Sequence, residues 1–175
     1  METIMITRYM SPAGELIIGT VGDSICLCDW ADAKKRDATD LSIMRHLNAQ
    51  YKERTSPAAE RAKTQLDEYF NGSRKAFDIE IAFTGTPFQR AVRAELMNIP
   101  YGDTITYGKL AVRAGNPKAV RAVASAIASN PISIFVPCHR VTGSNSKLTG
   151  YRGGLPAKAM LLEIEQAGTA GNTPL

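Results

Sequence analysis

The chain has 175 residues, 44% of them hydrophobic and 22% charged, a composition of globular proteins that excludes disordered and fibrous classes. Its 21 Lys+Arg against 17 Asp+Glu give a formal charge of +4, and three cysteines are too few, and an odd number, for a disulfide scaffold. No apolar run reaches the ~20 residues of a membrane-spanning helix. The opening METIMITRYM carries neither a basic leader nor an apolar signal core, so a cytoplasmic protein with no membrane partner is expected.

Three strands are expected first, at Ile4–Met10, Glu15–Val21 and Ser24–Trp30, separated by Ser11-Pro12-Ala13-Gly14 and Gly22-Asp23. Two helices follow, over about 38–52 and 57–71. The second starts with Ser56 at the cap, Pro57 in the first turn and Glu60 where a capping acid belongs. A further short strand is expected over 76–82, with Phe77, Ile79 and Ile81 on one face. Thr84-Gly85-Thr86-Pro87 then reads as a boundary. Beyond it, Phe88, Val92, Leu96 and Ile99 recur at helical spacing, a short helix covers 106–114, and Gly115-Asn116-Pro117 turns into an alanine-rich helix over 117–129. Pro131 stops that helix. A β-branched run at Ile132–Val136, a glycine-rich loop over 143–154 and a last helix over 156–166 complete the chain. The expected fold is α+β: an N-terminal α/β domain, 1–84, with a short antiparallel sheet, and a mainly helical C-terminal domain, 85–175.

The charge divides unevenly across that boundary. Residues 1–86 hold 11 basic and 13 acidic side chains, and residues 87–175 hold 10 basic and 4 acidic. Between Asp103 and Glu163 lie eight Lys/Arg and no acid, a pattern suited to a polyanionic partner as well as to an ordinary solvated face. The two short helices around Gly115 suit a DNA-reading helix-turn-helix, and equally a hairpin packed in a core. Lys118, Arg121, Ser125 and Ser129 are too few polar groups for a base code, so any DNA binding should be independent of sequence. Cys138-His139 pairs a nucleophile with a base. Read as extended chain, adjacent side chains point apart, so a water or a local turn would have to carry the proton between them. A bare Cys-His pair is more commonly a buried thiol beside a satisfied imidazole. Cys26 and Cys28 should share a strand face and, with His46, supply only three ligands; core packing is expected there and no metal. Trp30 and Tyr101 are expected as core or hinge residues and not as base-stacking ones.

Pro137-Cys138-His139-Arg140-Val141 resembles the signature of the O6-alkylguanine-DNA alkyltransferases. The similarity runs from Gly85-Thr86-Pro87-Phe88-Gln89 to about Glu165, through Ile105-Thr106-Tyr107, the stretch from Ala114 to Val123, Ser129-Asn130-Pro131, the stretch from Gly150 to Gly154, and the stretch from Lys158 to Glu163. The resemblance implies a transfer in which Cys138 takes an alkyl group from guanine O6, or from thymine O4, once and irreversibly, with no cofactor. His139 would take the thiol proton through a water, Glu165 would orient His139, Asn130 would brace the turn, and Tyr107 would protonate the leaving base. Arg121 would enter the stack and fill the gap left by a flipped nucleotide, with Lys118, Ala122, Ser125 and Thr106 on the DNA. Val141, Tyr151, Arg152, Gly153 and Ile127 would line the base pocket. Arg152 stands where some members carry a small hydroxylic residue, and its charge would narrow or recharge that pocket. The partner implied is alkylated double-stranded DNA, approached from the minor groove by a monomer. A non-catalytic alkyltransferase-like lesion binder is the rival, but it carries a non-nucleophilic residue at the cysteine position. A helix-turn-helix regulator would need base-reading side chains, and a cysteine hydrolase would need a distant histidine.

Overall fold

The computed structural model describes residues 1–145 and 147–170. Strands β1 (Glu2–Ser11), β2 (Gly14–Val21) and β3 (Ser24–Trp30) form an antiparallel meander. Helix α1 (Arg36–Leu47) ends at Asn48, whose left-handed backbone (φ 48°) accepts the turn that Asn tolerates better than most residues. The chain then reverses into β4 (Ala49–Glu53), which pairs parallel with β1. The helix expected over 38–52 is therefore a helix and a strand, and Ala49 is buried in the smaller core cluster. Helix α2 (Pro57–Phe70) starts as its sequence requires, the Ser56 hydroxyl accepting from the Ala59 amide at 3.0 Å. The expected strand over 76–82 shortens to β5 (Glu80–Ile81), parallel with β3. The sheet order is β4-β1-β2-β3-β5: the expected antiparallel meander lies at its centre, and a parallel strand is added at each edge.

A one-residue bulge changes the fate of the paired cysteines. The β2–β3 register slips between Gly19 and Thr20, so Cys26 becomes an extra residue on β3. Cys26 and Leu27 consequently join the small cluster with Ile4, Ile17 and Ile43, whereas Ile25 and Cys28 face the main core. The two thiols do not share a face.

The second half is helical. Helix α3 (Pro87–Leu96) opens on a capping box, Thr86 accepting from the Gln89 amide while the Gln89 side chain accepts from the Thr86 amide. Val92 and Leu96 are buried, but Phe88 is 38% exposed, so the apolar stripe starts one turn later than its spacing suggests. Strand β6 (Ile105–Thr106) precedes α4 (Tyr107–Arg113), and α5 (Val120–Ala128) follows a turn in which Gly115 takes φ +81°. Residues 117–119 lie in that turn and not in the helix. A single 3-10 turn (Cys138–Arg140), strand β7 (Val141–Thr142, parallel with β6) and α6 (Leu155–Ala170) complete the fold. Among the described residues, no helix is long and apolar enough to cross a membrane.

The two halves share one core. Leu16, Ile18 and Trp30 from the sheet, Leu66 and Tyr69 from α2, and Val92, Leu110, Val136 and Leu161 from the second half lie in one cluster. The backbone continues the join: the Cys28 amide donates to Pro131 O at 2.9 Å, and the Ser133 amide donates to Cys28 O at 2.8 Å. The edge of β3 beyond its pairing with β5 thus templates the segment that leads to Cys138.

Candidate functional site

Residues 131–140 are all buried, and their path is a series of tight turns. The Phe135 amide bonds to Ser133 O at 2.9 Å around Ile134, which sits at φ +73° despite its branched Cβ. The Cys138 amide bonds to Val136 O at 2.8 Å around Pro137 (φ −80°, ψ 62°). The Ile132 and Val136 carbonyls each accept one backbone amide in these turns, and Asn130 adds a side-chain donor to both. Its Nδ2 donates toward Ile132 O (3.3 Å), Val136 O (3.2 Å) and Cys138 Sγ (3.3 Å), and its Oδ1 accepts from the Ile132 amide at 3.1 Å. One amide side chain thereby fixes both the turns and the sulfur.

Cys138 and His139 lie in the 3-10 turn, not in extended chain, so their side chains are not forced to opposite sides. His139 Nε2 lies 2.9 Å from Glu165 Oε1 on α6. Arg140, the next residue, donates from Nε and Nη2 to the same carboxylate at 2.7–3.1 Å and from Nη1 to Ile99 O at 2.7 Å. Tyr69 on α2 donates to Glu165 Oε1 at 3.1 Å. Burial alone would raise the Glu165 pKa, but hydrogen bonds from His139 and Arg140, with their charges, hold it down to about 2. The carboxylate is ionised, so the imidazole must present Nε2–H to it, and Nδ1 carries the lone pair. Among the described residues, that buried Nδ1 has no hydrogen-bond partner. Burial lowers the His139 pKa and keeps the ring neutral, against the raising effect of Glu165. Burial likewise raises the Cys138 thiol, opposed by the Asn130 hydrogen bond and the Lys158 charge. The arrangement is a resting thiol followed in the chain by a neutral imidazole, which an ionised carboxylate orients. Chemically, it can activate sulfur by proton removal.

The surrounding loop is held by residues that spacing did not single out. Lys158 on α6 is 1% exposed and donates to Val141 O (2.7 Å) and Thr149 O (2.9 Å), which ties β7 to the loop. Val141, expected at the base pocket, thus has one of its carbonyl lone pairs occupied by Lys158. Arg93 on α3 donates to Ala126 O, Ser129 O, Ser129 Oγ and Thr84 O, satisfying the C-terminal carbonyls of α5 immediately before Asn130. A signal was present for Lys158, a cation whose neighbours one turn away on α6, Leu155, Leu161 and Leu162, are apolar; Arg93, with Gln89 and Arg90 one turn before it, carried none.

Arg152, expected to narrow or recharge the pocket, carries a charge that is already paired. Its Nε and Nη2 reach Asp29 Oδ1 and Oδ2 at 2.7 and 2.8 Å, and Nη2 also reaches Thr39 Oγ1 at 2.8 Å. Its charge is neutralised across the two halves of the chain. Gly153 lies against Trp30: a Cβ there would come within 2.3 Å of the indole. Tyr151 packs edge-on to the same ring at 6.0 Å, and the indole Nε1 donates to Ser133 Oγ at 3.2 Å. Tyr151, Arg152 and Gly153 line an open groove of about 560 Å³ together with Ser125 and Ala128 of α5. Tyr107 opens α4, and its hydroxyl accepts from Thr149 Oγ1 at 3.4 Å. The Thr106 hydroxyl caps the same helix by accepting from the Lys109 amide. Arg121, Ala122 and Ser125 face solvent on α5, Lys118 is exposed in the preceding turn, and Ile127 is buried in the core with Val123 and Ala126.

The matches to known proteins cover both halves. Residues 4–83 match the 6-O-methylguanine DNA methyltransferase ribonuclease-like domain, and residues 87–167 match the DNA-binding domain of the same name. A methylated-DNA–protein-cysteine methyltransferase of Haemophilus influenzae is 41% identical over 95% of this chain and 88% of its own length. The constitutive enzyme of Bacillus subtilis is 44% identical over 91% and 94%. The chain belongs to the methylated-DNA–protein-cysteine methyltransferase family. Among solved structures, the Mycobacterium tuberculosis O6-methylguanine methyltransferase superposes with a TM-score of 0.78 at 36% identity, covering 94% of this chain and 93% of that one. A Mycobacterium tuberculosis relative in complex with DNA superposes at 0.79, also at 36% identity, over 95% of this chain and 94% of its own. In methyltransferase terms, the matched DNA-binding domain contains Cys138, His139 and Glu165, and the ribonuclease-like domain contributes Tyr69, Asp29 and Trp30.

Proposed function

We propose that this methyltransferase repairs alkylated double-stranded DNA by one irreversible transfer from guanine O6, and also from thymine O4, to Cys138. The observation that carries the reading is the arrangement at the buried turn: Asn130 on the sulfur, a neutral His139 with its Nδ1 lone pair unclaimed, and Glu165 ionised behind the ring. The thiol proton passes through a water to His139 Nδ1. The sulfur then attacks the alkyl carbon in line, the new S–C bond forming as the C–O6 bond breaks. The electron pair left on O6 is absorbed by the purine ring, which the Tyr107 hydroxyl protonates. Because burial keeps the thiol protonated at rest, the cysteine is reactive only where its proton has an acceptor.

The target atom is enclosed in a duplex, so the nucleotide is flipped out and Arg121 fills its place from the minor-groove side. Lys118, Ala122, Ser125 and Thr106 would meet the DNA, whose sequence the exposed face of α5 is too poor in polar groups to read. Tyr151, Gly153 and Ile127 would shape the base pocket, and Val141 and Arg152 support it through Lys158 and Asp29. The protein acts as a monomer in the cytoplasm, and the thioether product consumes it.

The test is a peptide mass map after incubation with a duplex oligonucleotide bearing O6-methylguanine. A gain of one methyl group on the peptide holding Cys138 is expected, and none in Cys138→Ser. Transfer that survives Cys138→Ser would overturn the assignment.

A further inference from the structure

We propose that Tyr69, which lies in the ribonuclease-like domain, is a positioning residue of the transfer site, holding through its hydroxyl the same Glu165 oxygen that orients His139. The inference rests on the reading of Cys138, His139 and Glu165 given above. Glu165 is fully buried, and its Oε1 receives His139 Nε2 at 2.9 Å, Arg140 Nη2 at 2.7 Å and Tyr69 Oη at 3.1 Å, with Arg140 Nε shared between both oxygens. His139 and Arg140 sit on one turn and Glu165 on α6. Tyr69 is the donor that comes from outside those elements, on α2.

Its aromatic surroundings fix where that hydroxyl stands. The Tyr69 ring is fully buried, edge-on to Phe70 (5.4 Å) and Tyr101 (6.3 Å) and tilted on Phe77 (5.5 Å). Tyr101 in turn lies 5.8 Å beneath the Arg140 guanidinium and donates to Ile164 O at 3.3 Å, one residue before Glu165. Burial and the neighbouring carboxylate keep the Tyr69 hydroxyl protonated, so it serves Glu165 as a donor and not as a second anion.

The consequence for the reaction follows from how charge is shared. A carboxylate whose charge is spread over several donors pulls less on any one of them. Tyr69 and Arg140 therefore both moderate the hold of Glu165 on His139 and keep the imidazole from retaining a proton. The other charged group that acts on the ring is Lys158, whose ammonium opposes a second positive charge. Removing the Tyr69 hydroxyl concentrates charge on Oε1 and makes His139 more basic. The acid limb of the rate profile should then move to higher pH.

The experiment uses the full chain as wild type, Tyr69→Phe and Glu165→Gln. Tyr69→Phe keeps the ring and its aromatic contacts. The readouts are the second-order rate of methyl transfer from an O6-methylguanine duplex between pH 5 and 9, and the titration of the His139 ring followed by NMR. For Tyr69→Phe, the acid limb and the His139 midpoint are both expected to rise by about 0.5 in pH, with a lower melting temperature. A profile and a titration identical to wild type, with only the melting temperature reduced, would make Tyr69 a purely structural residue and overturn the proposal. A Glu165→Gln profile indistinguishable from wild type would remove the underlying triad reading, and the proposal with it. The two failures are therefore distinguishable.

Discussion

At the scale of single residues, the site is governed by which charges are buried and what answers them. Three of the eight cations between Asp103 and Glu163 are not available to a polyanion: Arg140 is committed to Glu165, Arg152 to Asp29, and Lys158 to two carbonyls. Lys109, Arg113, Lys118, Arg121 and Lys147 remain exposed. Glu165 makes the stability of the protein depend on pH. Its pKa is about 2 in the fold and near the ordinary carboxylate value in the unfolded chain, so the unfolded chain binds the proton first. Its stabilisation is fully present above about pH 4.5 and is lost as pH falls toward 2, by roughly 3 kcal/mol. His139 acts in the same direction at higher pH: burial sets its folded pKa below the usual 6.5, so stability begins to fall as pH drops through about 6.5. Denaturant unfolding at stepped pH checks both effects. In Glu165→Gln the part below about pH 4.5 should vanish; an unchanged acid slope would refute the assignment.

At the scale of elements, α5 has two faces with different tasks. Val123, Ala126 and Ile127 pack inward, and Arg93 holds the carbonyls at its C-terminal end. The outer face, Arg121, Ala122 and Ser125, is left bare. Arg121→Ala removes a side chain that touches nothing in the core, so folding and melting temperature should be unchanged. Transfer from duplex DNA should slow by roughly tenfold or more, the equivalent of one lost contact that replaces a stacked base. Transfer from free O6-benzylguanine should not change. Equal losses on the two substrates would place Arg121 outside the flipping step.

At the scale of the molecule, the two matched domains are joined through the site. The β3 edge pairs with residues 131–133, Trp30 bonds Ser133, Tyr69 bonds Glu165, and Arg152 pairs with Asp29. Such contacts tie both halves to one cooperative unit, so calorimetry should give a single transition. Arg152→Ala would leave Asp29 fully buried with Arg36 Nη1 at 3.6 Å as its remaining cation, and should cost roughly 3 kcal/mol. Two resolved transitions in wild type would contradict the shared core.

The sequence by itself determined the local parts of this protein. Ser56, Thr86 and Thr106 cap helices because their hydroxyls reach amides three residues on, and Pro137-Cys138-His139-Arg140-Val141 marks the reactive segment because its neighbours are adjacent in the chain. What depended on distant partners was decided only by tertiary structure. Residues 49–53 became a strand because β1 offered a free edge, and the bulge at Cys26 parted two thiols that alternation would pair. Arg152 paired with Asp29, 123 residues away, and Tyr69 reached Glu165 across 96. A buried charge takes whatever partner the fold brings to it, and that partner leaves no trace in spacing along the chain.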